Sequence, residues 1–156
     1  MHEPHVQHLD LNQDRAAIGR LMSQFLDSVS FEPGRRPAYR DLPELFIAGA
    51  KLIKATTAIP DVSSVDEFIR SRQQAVDTGE LTSFHEAEVH ASTTLFGNVA
   101  HRLSIYRKRG QLNRVAIDVR GAISTQFVRT SDGWRISAMA WDDERPGHPL
   151  PAHLTG

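Results

Sequence analysis

The chain has 156 residues, 40% hydrophobic and 24% charged, a balance that suits one globular domain with an ordinary core. Its 18 Lys+Arg against 19 Asp+Glu leave a net charge of −1, without the basic excess expected of a nucleic-acid binder or a ligand of anionic membranes. The chain holds no cysteine, which excludes disulfides, thiolate metal sites, iron–sulfur clusters and cysteine nucleophiles, and no apolar run approaches the roughly 20 residues of a membrane span.

No signal-peptide core follows Met1, so the expectation is a soluble, cytoplasmic chain with neither nucleic acid nor membrane as partner. Residues 1–12 are polar and aperiodic, and residues 1–13 read as an N-terminal arm. A helix is predicted over 14–29, because Ile18, Leu21, Met22, Phe25, Leu26 and Val29 recur at helical spacing, with Asn12 or Asp14 as cap. Pro33 and Gly34 end it and open a loop. Asp41 to Ile47 suits one or two helical turns with Leu42, Leu45 and Phe46 inward, and Lys51 to Thr57 a short strand.

A second helix is predicted from Ser63-Ser64 to Gly79, with a hydroxyl cap and Asp66 and Glu67 at its positive end. Strands follow at about 82–96, 98–109, 114–130 and 134–142. The turn signals between them are Phe96-Gly97-Asn98, Arg109-Gly110-Gln111 and Ser131-Asp132-Gly133. The tail, 147–156, is Pro- and Gly-rich and is expected extended. Helices followed by a long antiparallel meander define an α+β fold, a curved sheet whose concave side, capped by helices, leaves a pocket.

This order, with Phe84-His85-Glu86, Phe96-Gly97-Asn98-Val99-Ala100-His101, Arg120-Gly121 and Gly133 through Pro146, resembles the cone-shaped nuclear-transport-factor-2-like, or SnoaL-like, superfamily over residues 14–146. The resemblance implies a cone with an internal pocket, no cofactor, and either a small-molecule enzyme or a non-catalytic binding and dimerisation module. Isomerase, dehydratase, cyclase and epoxide hydrolase activities all occur in that superfamily. The tyrosine that ketosteroid isomerase uses as oxyanion donor aligns with Phe25, which has no hydroxyl, and its base would fall on Lys51 to Thr57, which holds no carboxylate. Steroid-type isomerisation is therefore disfavoured.

Strand parity sorts Ile117, Val119, Gly121, Ile123, Thr125 and Phe127, with Ile136, Ala138 and Ala140, onto one face. Asp118, Arg120, Ala122, Ser124 and Gln126, with Ser137, Met139, Trp141 and Asp143, take the other. The third strand divides into His101, Leu103 and Ile105 against Arg102, Ser104 and Tyr106. Resemblance favours the Met139/Trp141 parity as pocket lining, whereas amphipathicity favours the apolar parity as core. The expected ligand-binding set is Tyr106, Arg120, Ser124, Gln126, Met139 and Trp141, with Arg120 orienting a carboxylate or carbonyl and Asp118 as base. A structural salt-bridge ladder is the competing explanation. His101, among apolar neighbours, is either a second candidate base or a core histidine satisfied by a backbone partner.

Glu86 and Glu88 share a face, as paired acids or as ion-paired surface carboxylates. His85 and His90 fall on opposite parities of a regular strand and cannot share a metal, and His2, His5 and His8 lie on the arm, so no metal site is expected. Arg35-Arg36 with Tyr39-Arg40 is a basic loop that would either touch an anion at the pocket mouth or stay solvated. Phosphate-loop, serine-elbow and zinc-helix motifs are missing. Four amphipathic strands outnumber the helices able to cover them, which predicts a homodimer through the open sheet face.

Overall fold

The computed structural model describes residues 11–155; residues 1–10, with His2, His5 and His8, lie outside the described residues. The first helix, α1, spans Leu11–Val29 and buries Ile18, Leu21, Met22, Phe25, Leu26 and Val29, the stripe predicted from spacing. Asp14 does not serve as the expected cap. Its carboxylate is buried, accepting from Arg129 Nη2 at 2.7 Å and Trp134 Nε1 at 3.1 Å, and so ties α1 to the sheet. The Arg129 guanidinium lies 4.6 Å from the centre of the Trp134 ring.

Two short 3-10 turns, Tyr39–Asp41 and Pro43–Leu45, occupy the segment expected to make helical turns, and Tyr39, Leu42 and Leu45 are buried. Strand β1 then runs Phe46–Lys54, earlier than predicted, and pairs antiparallel with the short strand β2, Asp61–Ser64. Helix α2, Val65–Asp77, opens on a capping box: the Ser64 hydroxyl accepts from the Glu67 amide and the Glu67 carboxylate accepts from the Ser64 amide, each at 3.1 Å. Four long strands follow: β3 Leu81–Phe96, β4 Val99–Leu112, β5 Val115–Thr130 and β6 Gly133–Asp143. The tail is extended except for one 3-10 turn at Ala152–Leu154.

The curved, open sheet has the order β2-β1-β6-β5-β4-β3 and is antiparallel except where β1 runs parallel to β6. Both helices pack on one face, so this inner face carries the core, with Tyr106, Ile123, Phe127 and Met139 buried among α1 side chains. The α+β cone expected from the sequence is the fold observed.

Three local irregularities decide which side chains reach that core. The β4–β5 turn is at Asn113-Arg114, both with positive φ (51° and 65°), and not at the predicted Arg109-Gly110-Gln111. Gly110 lies within β4, where a Cβ would collide with the Ser83 carbonyl of the adjoining strand. Moving the turn pairs Tyr106 with Gly121. Gly121 is required there, since a Cβ would meet the Tyr106 hydroxyl. Second, β6 pairs Ile136 with Phe127 but Ala138 with Gln126, leaving Ser137 as a bulge. Third, β3 pairs Glu88 with Tyr106 and His90 with Ile105, leaving Val89 as the extra residue. That bulge places His85 and His90 on the same, outer face, contrary to the parity expectation.

Candidate active site

Between the helices and the sheet lies a cleft with apolar walls of Phe25, Phe68, Phe84, Ile123, Met139 and Trp141 and polar contributions from Arg72, Glu86 and Lys108. Its inner chamber, about 20 Å³, holds little more than one water molecule. Across Phe68, Arg72, Phe84, Lys108 and Trp141 it continues into a vestibule of about 400 Å³, whose walls include Leu52, Leu81, Ile117 and Val119. A volume of that size suits a small organic molecule.

The polar groups arrive from four elements. Glu86 on β3 stands opposite Lys108 on β4. The backbone at Glu86 is fixed from outside the sheet: its amide donates to the Ser30 hydroxyl at 3.1 Å, and Phe31 and Phe84 exchange backbone hydrogen bonds at 2.7 and 3.0 Å. Lys108 Nζ reaches Asp143 Oδ1 at 2.8 Å and lies 5.5 Å from the centre of the Tyr106 ring. The Tyr106 hydroxyl donates to the Asp143 carboxylate and sits 3.0 Å from the Asp142 carbonyl. Arg72 projects from α2 with its guanidinium 5.0 Å from the Phe68 ring centre and 5.5 Å from that of Phe84. Trp141 meets Phe68 edge to face at 6.1 Å.

These surroundings shift both acids upward. Burial pushes the Glu86 carboxyl up to about 7, against the opposing pull of Lys108 and Arg72. Burial, then the hydrogen bond to Asp143, raises the Tyr106 phenol well above its usual range. A carboxyl that titrates near neutrality can donate and accept protons at working pH. Among the described residues no side chain hydrogen-bonds the Glu86 carboxyl, and none accepts from Arg72 or from the Trp141 indole N–H. Among the described residues no group of three or more His, Asp and Glu is arranged to hold a metal ion.

No family model and no curated protein matches the chain. Solved structures do. The Kfla4162 protein from Kribbella flavida superposes with a TM-score of 0.70 at 20% identity, over 94% of this chain and 99% of that one. A hexachlorocyclohexane dehydrochlorinase of LinA-type3 from Novosphingobium barchaimii gives 0.72 at 15% identity, over 88% and 90%. A nuclear-transport-factor-2-like protein with a cystatin-like fold from Novosphingobium aromaticivorans gives 0.64 at 18% identity, over 86% and 84%. This chain has the nuclear-transport-factor-2-like fold. At these identities the fold is what the likeness carries.

Within the nuclear-transport-factor-2-like cone, the eight residues singled out from sequence divide between the two faces. Tyr106, Met139 and Trp141 are on the inner face with Glu86 and Lys108, since Tyr106 pairs with Gly121, Met139 with Thr125 and Trp141 with Ile123. Asp118, Arg120, Ser124 and Gln126 are on the outer face, away from the cleft. The expectation that Tyr106, Asp118, Arg120 and Trp141 surround one cavity is therefore corrected. Asp118, with its side chain 54% exposed, receives two hydrogen bonds from Arg107 at 2.9 and 2.8 Å, and these hold its carboxyl below the ordinary range, the reverse of what a neutral-pH base needs. Arg120 pairs with Glu144 at 3.3 Å. Gln126 accepts from the Ser137 hydroxyl at 3.1 Å, and Ser124 is exposed opposite Ala140.

His101 does lie on the face opposite Tyr106, but it is exposed there and not enclosed by apolar neighbours. Arg35, Arg36 and Arg40 are exposed. Arg72 and Lys108 were not anticipated, and Glu86 was noticed without a role. The register supplies the missing signal: with the turn at Gly97-Asn98 and the bulge at Val89, the alternation Phe84-x-Glu86-x-Glu88 faces Tyr106-x-Lys108, an acid set opposite a base on the inner side.

Proposed function

We propose that the chain binds a small hydrophobic, oxygenated molecule in this cleft and performs cofactor-free acid–base chemistry on it, with Glu86 moving the proton. The observation that carries this reading is the Glu86 carboxyl, half-buried, lining the cleft with Arg72 and Lys108 and without a side-chain hydrogen-bond partner among the described residues, and pushed up to about 7 by burial. Isomerisation, dehydration and cyclisation all need a proton taken from carbon while negative charge gathers on an oxygen. Arg72 supplies positive charge beside that carboxyl, next to the neutral Lys108–Asp143 pair, and the Trp141 indole N–H is a further donor at the wall. Tyr106 sits behind them, holding Asp143 and through it Lys108. The shared fold with a dehydrochlorinase supports elimination-type chemistry of this kind.

The test uses a simple ketone, 2-tetralone, whose α-protons exchange with D2O at a rate readable by NMR. Wild-type protein should accelerate the exchange, and Glu86→Gln should remove about 100-fold or more of that acceleration, the ordinary size of a general-base contribution. Equal rates for the two proteins would refute the assignment.

The outer face favours a second copy as partner. Ala87, Ala122, Ser124, Ala138 and Ala140 make its centre flat, and Arg107–Asp118 and Arg120–Glu144 pair within the chain. A flat surface of small side chains can be matched by its own two-fold copy. Sedimentation at micromolar concentration should give a dimer that Ala122→Arg dissociates; a 17.4 kDa species for the wild type would overturn it.

A further inference from the structure

We propose that the ligand of this cleft carries a carboxylate, and that Arg72 is its anchor. The inference rests on the reading of the cleft as a small-molecule site and adds the charge of what enters. Arg72 is the side chain that motivates it. Its guanidinium lies over two phenyl rings, 5.0 Å from the centre of Phe68 and 5.5 Å from that of Phe84, contacts that leave its N–H groups unoccupied. Among the described residues no carboxylate lies within ion-pair distance of it and no acceptor takes its protons. The other two Arg side chains that reach the inner face are both matched. Arg102 is held by Glu88 at 2.5 and 3.0 Å, and Arg129 by Asp14 at 2.7 Å. An arginine held over two aromatic rings yet left without an acceptor is suited to a planar, two-oxygen partner.

The charge balance of the chamber agrees. Lys108 is matched by Asp143, so the two cancel. Glu86 is the remaining acid lining the chamber and makes no ion pair with Arg72, so among these side chains the guanidinium is the cation left without a bonded counter-charge. The chamber therefore favours a single negative charge. Size places that charge on the inner side. Arg72 lines both the inner chamber and the vestibule, whereas only the vestibule, with Trp141, Leu52, Ile117 and Val119, has room for an apolar body. A carboxylate on Arg72 with a flat hydrocarbon body against Trp141 fills both compartments. In this pose Glu86 lies on the carboxylate's side of the ligand.

The experiment compares 2-naphthoate with its neutral isostere 2-naphthamide by calorimetric titration, on wild-type protein and on Arg72→Gln. Wild type should bind the acid about tenfold or more tightly than the amide. Arg72→Gln should abolish that preference by weakening the acid far more than the amide, as expected when one charged hydrogen-bonded pair is lost. Equal affinity of wild type for acid and amide, with binding that Trp141→Leu weakens, would overturn the carboxylate anchor and leave the cleft reading standing. Binding of neither probe by the wild type would overturn both. Because the wild-type comparison stands without the variant, instability of Arg72→Gln would not shelter the proposal.

Discussion

Glu86 makes a quantitative demand on folding that does not depend on any substrate. A buried acid whose folded-state value is raised from 4.5 to about 7 binds its proton more tightly folded than unfolded. Its contribution is therefore greatest below pH 4.5, declines as pH rises through the interval up to about 7, and is level beyond it. Across that interval the loss is about 3 kcal/mol, at roughly 1.4 kcal/mol for each pH unit separating the two values. Glutamine at 86 keeps the shape and has no proton to lose. Urea or thermal melts of wild type and Glu86→Gln should be run from about pH 4.5 to about pH 8.5. Other carboxylates titrate in both proteins, so the difference between the two curves isolates Glu86.

The wild type should lose about 3 kcal/mol relative to Glu86→Gln on going to the alkaline end, which is roughly 6–12 °C in relative melting temperature for a chain this long. Glu86→Gln is thus expected to be the more stable protein above neutrality, the usual sign of a functional group kept against stability. Curves that run parallel over the whole range would mean that Glu86 ionises at its ordinary value, and the acid–base role would fall with it.

The other predictions concern the frame around the cleft. Asp14→Asn should cost about 2–4 kcal/mol, because it leaves the Arg129 guanidinium without its counter-charge at a mostly buried site. The hydrogen bond from Arg129 holds the Asp14 carboxyl below 3.8, so wild type should lose this increment as pH falls through that lowered value, and Asp14→Asn should not; acid-range melts check it. Deleting Ser137 should prevent native folding, whereas Ser137→Ala should cost only about 1 kcal/mol for its hydrogen bonds to Gln126. Near-ultraviolet circular dichroism of the tryptophans distinguishes those outcomes, and a folded deletion variant would contradict the role assigned to the bulge.

Most of the fold was legible because it rests on short-range physics. The α1 stripe, the Ser64 cap with Glu67, and the turns at Gly97-Asn98 and Ser131-Asp132 are each written within a few residues of where they act. Asn113-Arg114 was not legible in this way. Neither residue is glycine, yet both take positive φ, while Gly110 three positions earlier offers the stronger turn signal. That glycine answers a tertiary need, the close approach of the Ser83 carbonyl from β3, which nothing local announces.

The site was lost through the same two features, and their arithmetic explains how. Paired positions across a hairpin have a constant sum, and replacing a three-residue turn centred on Gly110 by the two-residue turn Asn113-Arg114 changes that sum from even to odd, which exchanges the faces of everything beyond it. With the turn at Gly110, Tyr106 shares a face with Asp118 and Arg120; with the turn at Asn113-Arg114, it faces Gly121, and those two charges go outside. The Ser137 bulge makes a second exchange within β6, bringing Met139 and Trp141 to the side of Ile123 and Phe127. Two indications that conflicted in the sequence, the apolar face as core and the Met139/Trp141 face as pocket, thus describe one face. The bulge does more than re-aim an indole. It carries Asp143 inward as well, and Asp143 is what positions Lys108 and Tyr106 beside Glu86. One extra residue in one strand is therefore the condition for the acid, the cation and the aromatic wall to meet, which is why deleting Ser137 tests the architecture of the site and not merely its stability.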